Sequence, residues 1–214
     1  MLNNINAELT REAEQLYDDK LAYHNFSHIH YVFTRADEII NRCRKHGVEV
    51  DEEVVYIALL FHDAGFIEDH EQLGFDSKEA YSAYLAGQIL QKLDYEAGLI
   101  DKVKQAIIAT HCDERCISNE DRVVKGADLA GLADDYNVVL ENAIQLKDEY
   151  ELFNGKMIDW QQWKDQAIDR LLVFIEDEME MTEEEFDTDG NSRFQQAVLA
   201  NVNRLRAEPP PGQN

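Results

Sequence analysis

Apolar residues recur along most of the chain at intervals of three or four positions, which is the spacing of amphipathic helices. The first series is Leu2, Ile5, Leu9, Ala13 and Leu16, and the last is Phe194, Ala197, Val198, Val202 and Leu205. No segment alternates regularly between apolar and polar residues, as a half-buried strand does. The pattern therefore predicts an all-α fold of about nine helices.

Polar residues before the apolar series indicate where helices begin. We expect a helix over about 28–46, capped by Asn25 or Ser27. The next helix is expected to be capped by Asp51 and to carry the apolar residues 54–61. Eight apolar residues in succession suit either a helix that is buried on most sides or a buried strand, and the polar start at 51–53 and the overall length favour the helix.

Two further starts have the spacing of a capping box, in which a cap residue and a residue three positions later exchange hydrogen bonds. Asp76 with Glu79 predicts a helix that runs to about Leu93, and Thr182 with Glu185 predicts another start. Helices are also expected over about 97–110 and 121–132.

Length and composition favour a single domain. A chain of 214 residues, of which 44% are hydrophobic, is of one-domain size and can build a substantial core. We expect this domain to span residues 1–208. The three prolines stand together at 209–211, so residues 209–214 are expected to be a disordered tail.

The charge of the chain is strongly negative, with 44 acidic residues against 20 basic ones and a net charge of -24. Nucleic-acid phosphates and anionic membrane surfaces repel such a chain, so we expect neither a long nucleic acid nor a membrane as a partner. Nine of the acidic residues lie in 176–189, which contains no Lys or Arg. This acidic stretch is either a solvated connector or a docking surface for a basic partner.

The expected location is cytoplasmic. The first residues show neither the basic nor the apolar segment of a secretory signal, and no stretch approaches the roughly 18 apolar residues of a membrane-spanning helix. The chain has only three cysteines, Cys43, Cys112 and Cys116, and its size does not call for a disulfide. A reducing compartment agrees with this usage.

Residues that bind metals stand next to apolar sequence at four places, namely His24 with His28, His62 with Asp63, His111, and Asp128. Asp63 follows the buried run and Asp128 lies among small apolar residues, so an unpaired carboxylate at either place would cost several kcal/mol, roughly. No Lys or Arg lies within four residues of Asp63, and Lys125 alone lies that close to Asp128. A divalent cation shared with His28 and His62 would balance both carboxylates, and Mn, Fe, Zn, Co, Ni or Mg could serve.

Taken singly, these residues also have ordinary interpretations. His28 could be a structural or an exposed histidine, and the His62-Asp63 pair could be a capped helix end. Asp128 could cap a helix or pair with a basic residue. A zinc site built from His111, Cys112 and Cys116 would lack a fourth ligand, and the two thiols are more simply small side chains.

The order His28, His62-Asp63, Asp128 resembles the H…HD…D signature of the HD-domain superfamily of metal-dependent phosphohydrolases. The sequence Tyr-His-Asn-Phe-Ser-His at 23–28 is similar to the start found in several branches, including class I cyclic-nucleotide phosphodiesterases. The sequences FHDAGF and GADLAGL resemble a branch of predicted phosphohydrolases. The likeness covers about residues 20–175, which would form the core, with accessory helices in 176–208.

The resemblance implies a role for each matching residue. His28, His62, Asp63 and Asp128 would bind a divalent metal ion. His24 would act as general acid, and Asp63 or Asp128 could also orient the attacking water. Asn25, Glu79 and His111 would bind substrate.

Three of these roles have alternatives. Asn25 could instead support its loop, and Glu79 could serve the capping box with Asp76. His111 could hold a second metal, or could simply be a histidine favoured at a helix C-terminus.

The implied activity is hydrolysis of a small phosphoester, with a nucleotide as the expected substrate, by metal-activated water. The phosphodiesterase pattern His-Asp-x-x-His is incomplete, because Phe66 stands where its second histidine would be. This departure counts against a second metal and against a cyclic nucleotide. Two alternatives stay open, a non-catalytic nucleotide-sensing module and a di-iron oxygenase with His111 as an extra ligand, and the chain could form a homo-oligomer.

Overall fold

The computed structural model describes residues 6–176 and 178–211, and within them the fold is helical, which confirms the all-α prediction. The nine α-helices of this part are α1 (Ala7–Glu14), α2 (Phe26–Lys45), α3 (Glu52–Phe61), α4 (Lys78–Lys92), α5 (Ala97–Ile108), α6 (Asn119–Leu129), α7 (Tyr136–Asn154), α8 (Trp160–Phe174) and α9 (Arg193–Ala207). An isolated bridge joins Phe186 and Ser192, and the described residues form no strand. None of the described helices is long and apolar enough to cross a membrane.

The chain divides into two compact units, one ending at Asp128 and the other beginning at Leu129. The single domain expected over residues 1–208 stays a prediction. Leu2 and Ile5 of the first apolar series lie outside the described residues, as does the end of the expected tail, 212–214.

Helix α3 is the centre of the first unit. Seven of its ten residues are buried: Val54, Val55, Ile57, Ala58, Leu59, Leu60 and Phe61. It contacts α1, α2, α4 and α5. Each buried aliphatic or aromatic side chain of this size contributes about 1.5–3 kcal/mol, so the interior placement of the end of α3 is strongly determined.

Helix α6 is tied to the chain just before α3. The side-chain amide of Asn119 donates a 2.9 Å hydrogen bond to the carbonyl of Glu49, and Glu120 accepts one of 2.8 Å from the backbone N–H of Asp51. Farther along α6, a Cβ at Gly126 would lie 3.4 Å from Ile39 of α2, so the absence of a side chain permits a close approach. These contacts place α6 beside both α2 and the start of α3.

The helix caps decide between two candidates for α2 and correct the expectation for α4. Asn25 rather than Ser27 caps α2, and its side chain accepts the N–H of Ser27 at 2.8 Å. The start of α4 at Lys78 is capped by Ser77, so the capping box predicted for Asp76 is wrong. Ser77 is the cap because its hydroxyl group accepts the N–H of Ala80 at 3.0 Å.

Asp51 occupies the position before α3 but its side chain makes no cap hydrogen bond. Its carboxylate instead lies 3.4 Å from the ammonium of Lys102. The capping box of Thr182 with Glu185 is confirmed, and it opens the short 3-10 turn Glu183–Glu185 within the acidic stretch.

The second unit contains α7, α8 and α9 around a core of Tyr136, Trp160, Ile168, Val198, Val202 and Leu205. Glu208 ties down the end of α9, because its carboxylate accepts the hydroxyl of Tyr136 at 2.7 Å and its carbonyl accepts the ammonium of Lys164 at 2.7 Å. Within the described residues, Cys43, Cys112 and Cys116 form no disulfide.

Candidate metal centre

Four side chains from three helical regions of the first unit converge: His28 from α2, His62 and Asp63 from the turn after α3, and Asp128 from α6. Each offers one nitrogen or carboxylate oxygen, and these four atoms all lie within 4.8 Å of one another. The group is thus compact enough to surround a single ion. We refer to these residues as the His/Asp cluster.

His62 lies at the middle of the His/Asp cluster. Its Nε2 atom is 3.0 Å from Oδ2 of Asp63 and 3.2 Å from Oδ1 of Asp128. The Nε2 atom of His28 is 3.4 Å from the same Asp128 oxygen and 3.9 Å from Asp63 Oδ2. Both imidazoles therefore face both carboxylates.

The end of α3 explains how His62 is oriented. The last carbonyl groups of a helix have no partner within the helix, and Nδ1 of His62 lies 2.8 Å from the carbonyl of Leu59. That hydrogen bond places the proton on Nδ1 and directs Nε2 toward the cluster. The local fold of the helix end thus selects the nitrogen that faces the carboxylates.

Burial and charge act against each other in this cluster. Burial lowers the pKa of His62, but the carboxylates of Asp63 and Asp128 raise it by a larger amount, so that the pKa lies well above its ordinary value of 6.5. Burial raises the pKa of Asp128, but His62 and His28 lower it below its ordinary range. The pKa of Asp63 is also lowered, since the attraction of His62 and His24 outweighs its burial. The site therefore favours two ionised carboxylates around a positive charge.

Two buried atoms at the centre of this group, Nε2 of His62 and Oδ2 of Asp63, have no hydrogen-bond partner. They are close to each other but not in hydrogen-bonding geometry. With its proton on Nδ1, a neutral His62 would direct a lone pair at two anionic oxygens, which is unfavourable without a cation. Two imidazole nitrogens and two carboxylate oxygens are a donor set that suits divalent metals. The residues present thus fit a metal ion.

His24, the expected general acid, lies beside the cluster but is not part of it. Its ring centroid is 6.5 Å from that of His28, and its ring stacks on Phe66 at 3.7 Å with 13° between the planes. The ammonium of Lys78 lies 4.1 Å from the centroid of the Phe66 ring and donates a 2.7 Å hydrogen bond to the Phe66 carbonyl. The turn after Asp63 thereby fixes where His24 stands.

The structure places the three expected substrate-binding residues outside the cluster. Asn25 is engaged in its own loop, where its amide donates to the carbonyls of Leu21 at 2.9 Å and Ala22 at 3.1 Å. These contacts agree with the loop-supporting alternative for Asn25. Glu79 lies in the first turn of α4. The substrate roles of Asn25 and Glu79 stay predictions.

His111 belongs to a separate group with Cys112 and Asp113, whose ligand-type atoms lie within 4.8 Å of one another. This differs from the expected zinc alternative, because Asp113 takes the place given to Cys116. The N–H of Asp113 donates to Nδ1 of His111 at 3.2 Å. His111 does not join the His/Asp cluster within that distance, so its substrate or second-metal role stays a prediction.

Lys125, the cation nearest to Asp128 in sequence, is fully buried. Its ammonium donates hydrogen bonds to the carbonyls of His111 at 3.1 Å and Glu114 at 3.0 Å. The charges that face Asp128 are those of His28 and His62.

Two residues near the site were missed from the sequence. Phe66 stacks on His24, and Tyr17 donates a hydrogen bond of 2.9 Å to the carbonyl of Leu60, close to the His62-Asp63 pair. Tyr17 stands at no spacing that indicates a metal site, and Phe66 occupies the position of the second histidine in the His-Asp-x-x-His pattern without being a metal ligand itself. The signal for Phe66 was its place directly after the His-Asp turn, whereas Tyr17 resembles any aromatic residue after a helix.

Comparison with known families agrees with this geometry. The HD domain family matches residues 25–130, a segment that includes all four residues of the His/Asp cluster. No match was found among curated proteins. HD domains are helical, are generally metal-dependent hydrolases and bind divalent metals. Through this segment, the chain belongs to the HD domain family.

Proposed function

We propose that the protein is a metal-dependent phosphohydrolase that acts on a small phosphoester, with nucleotides as the substrate class. The observation that carries the proposal is the His/Asp cluster with its two unpartnered buried atoms, His62 Nε2 and Asp63 Oδ2. Membership of the HD domain family supports metal-dependent hydrolysis. The phosphoester and the nucleotide are the finer part of the proposal and rest on the sequence motifs.

His28, His62, Asp63 and Asp128 would hold the metal ion. When bound, a divalent ion would supply Lewis acidity toward a phosphoryl oxygen and a water molecule activated near neutral pH. The two carboxylates are negatively charged and the two imidazoles are neutral, so these four side chains would balance the charge of a divalent ion. Asp63 and Asp128 also offer carboxylate oxygens that could accept a hydrogen bond from the attacking water.

His24 would donate a proton to the leaving oxygen. It stands outside the cluster, so its imidazole need not serve as a ligand. Stacking on Phe66 fixes the plane of the ring, and a fixed donor is what general acid catalysis requires. We therefore expect His24→Ala to keep the metal and lose turnover.

The overall charge restricts the size of the substrate. A net charge of -24 repels a long polyanion. A single small phosphoester can still bind, because the ion would be the largest local charge in the site. The proposal is therefore limited to nucleotides and similar small esters.

The test is a phosphate-release screen on nucleotide mono-, di- and triphosphates and p-nitrophenyl phosphate, with Mn²⁺ added to metal-stripped protein. A matched pair of variants on α2 is His28→Ala and His30→Ala, since His28 belongs to the cluster and His30 is exposed. We expect His28→Ala to abolish phosphate release and His30→Ala to retain it. Equal activity in the two variants would refute the assignment.

Other outcomes would identify a different function. Nucleotide binding without phosphate release would favour the sensing module. Two irons per chain with oxygen consumption would favour the di-iron oxygenase. Either result would overturn the phosphohydrolase proposal.

A further inference from the structure

Tyr17, between α1 and α2, lies against the turn that carries His62 and Asp63. Its hydroxyl group donates to the carbonyl of Leu60 at 2.9 Å. Burial raises the pKa of Tyr17, and the carboxylates of Asp63 and Asp128 raise it further, as expected for a hydroxyl close to the cluster. Tyr17 precedes the segment that matches the HD domain family.

The Tyr17 contact completes the end of α3. The carbonyl of Leu59 is bonded by the imidazole of His62, and that of Phe61 accepts the N–H of Ala64 at 2.9 Å. The carbonyl of Leu60, between them, accepts the Tyr17 hydroxyl. The His62 imidazole, the Tyr17 hydroxyl and the backbone N–H of Ala64 therefore satisfy three successive carbonyl groups at the end of this helix.

The segment that carries Tyr17 is itself anchored. Leu9 and Ala13 of α1 are buried, and Glu12 forms a 2.9 Å ion pair with Lys92 of α4. The carbonyl of Leu16 accepts the N–H of Gly65 at 3.0 Å. Residues 16 and 17 thus hold the chain on both sides of the His62-Asp63 pair.

Tyr17 also contacts the helix that supplies His28. Its ring meets that of Phe26, the first residue of α2, edge to face, with centroids 5.5 Å apart. One side chain therefore contacts the turn that carries two residues of the cluster and the helix that carries a third.

We infer that Tyr17 is a positioning residue of the metal centre, whose hydroxyl group holds the turn from Leu60 to Asp63 so that His62 and Asp63 face His28 and Asp128. The inference rests on the proposed metal centre. Hydrogen bonds around the ligands of a metal orient those ligands, and their loss typically lowers metal affinity about 10–100-fold. The hydroxyl group is expected to contribute an effect of that size.

The experiment is a calorimetric titration of Mn²⁺ into metal-stripped full-length protein, comparing Tyr17→Phe with wild type. Phenylalanine keeps the ring and its contact with Phe26 but removes the hydroxyl group. The matched control is Tyr56→Phe, because Tyr56 lies on the same α3 and its hydroxyl donates to Asp37 rather than to the cluster turn. We expect affinity about 10–100-fold weaker in Tyr17→Phe and within about twofold of wild type in Tyr56→Phe.

Each result has a distinct meaning. If wild type binds Mn²⁺ and Tyr17→Phe binds it equally well, the inference is wrong and the metal centre stands. If both tyrosine variants lose affinity equally, the effect is general loosening and the inference is also wrong. If wild type does not bind Mn²⁺, the proposed metal centre fails. Circular dichroism checks folding, and a variant that is partly unfolded is titrated in sucrose, which stabilises the folded state.

Discussion

Gly65 lies two residues after Asp63, and one methyl group added there is expected to cause a large loss of stability. This loss has two parts that other glycines can separate. The φ of Gly65, +72°, lies in the left-handed region, which residues with a Cβ adopt at a cost of about 1–2 kcal/mol. A Cβ there would also lie 2.7 Å from Cε1 of Tyr81 and 2.8 Å from Cδ1 of Leu85. Gly65→Ala therefore combines backbone strain with overpacking.

The two costs can be added for an expected magnitude. Overpacking a tight interior by one methyl group costs about 1–3 kcal/mol. With the backbone contribution, Gly65→Ala is expected to lower the free energy of unfolding by about 2–5 kcal/mol.

Two other glycines separate these contributions. Gly47 has the same φ of +72° but nothing within 4 Å of a built Cβ, so Gly47→Ala should lose only the backbone part, about 1–2 kcal/mol. Gly98, in the first turn of α5, has an ordinary φ and open space around it. Gly98→Ala should therefore cause no loss.

Urea denaturation followed by circular dichroism measures the free energy of unfolding of each variant. The expected order of stability is Gly98→Ala, then Gly47→Ala, then Gly65→Ala. A Gly65→Ala protein as stable as Gly47→Ala would refute the proposed packing of the turn against Tyr81 and Leu85.

Three further predictions concern the cluster and the two units. Burial lowers the pKa of His62, but Asp63 and Asp128 raise it by more, so His62 of the metal-free protein is protonated at neutral pH. The stability that this proton contributes is lost as the pH rises through the raised pKa. Mn²⁺ binding at pH 7 should therefore release about one proton per chain, and calorimetry that gives the same heat in buffers of different ionisation enthalpy would contradict this. Lys125→Met removes the donor to two carbonyls and should cost about 2–6 kcal/mol in urea denaturation, whereas the exposed Lys102→Met should cost about 0–1 kcal/mol. Tyr136→Phe removes the hydrogen bond to Glu208 and should lower the free energy of unfolding by about 1 kcal/mol without changing Mn²⁺ affinity. A change in Mn²⁺ affinity would contradict this prediction.

The helices were predictable because their apolar spacing is repeated and their core positions are buried. The run 54–61 shows this most clearly, since its uninterrupted apolar character corresponds to the most buried helix of the first unit. Caps were less predictable, because several cap-forming residues stand side by side. The choice between Asp76 and Ser77 depends on how the loop enters α4, which the spacing to Glu79 does not determine.

The candidate site was predictable where the sequence itself shows that a charged residue needs a partner. Asp63 and Asp128 stand in apolar surroundings, with no Lys or Arg within four residues of Asp63 and only Lys125 that close to Asp128. A shared partner for the two carboxylates follows from this. Tyr17 and Phe66 act through contacts with residues distant in sequence, at Leu60 and His24. No local spacing records such contacts, so these two residues emerged only from the three-dimensional arrangement.

The most direct test of the central claim is the number of divalent ions that the metal-stripped protein binds, measured by calorimetric titration with Mn²⁺ and by metal analysis after dialysis. Asp128→Asn removes one carboxylate of the His/Asp cluster with little change in shape, and His111→Ala alters the separate group that contains Cys112 and Asp113. The expected result is one tightly bound ion in wild type and in His111→Ala, and none in Asp128→Asn. Tight binding that survives Asp128→Asn, or that disappears in His111→Ala, would contradict a metal centre built from His28, His62, Asp63 and Asp128.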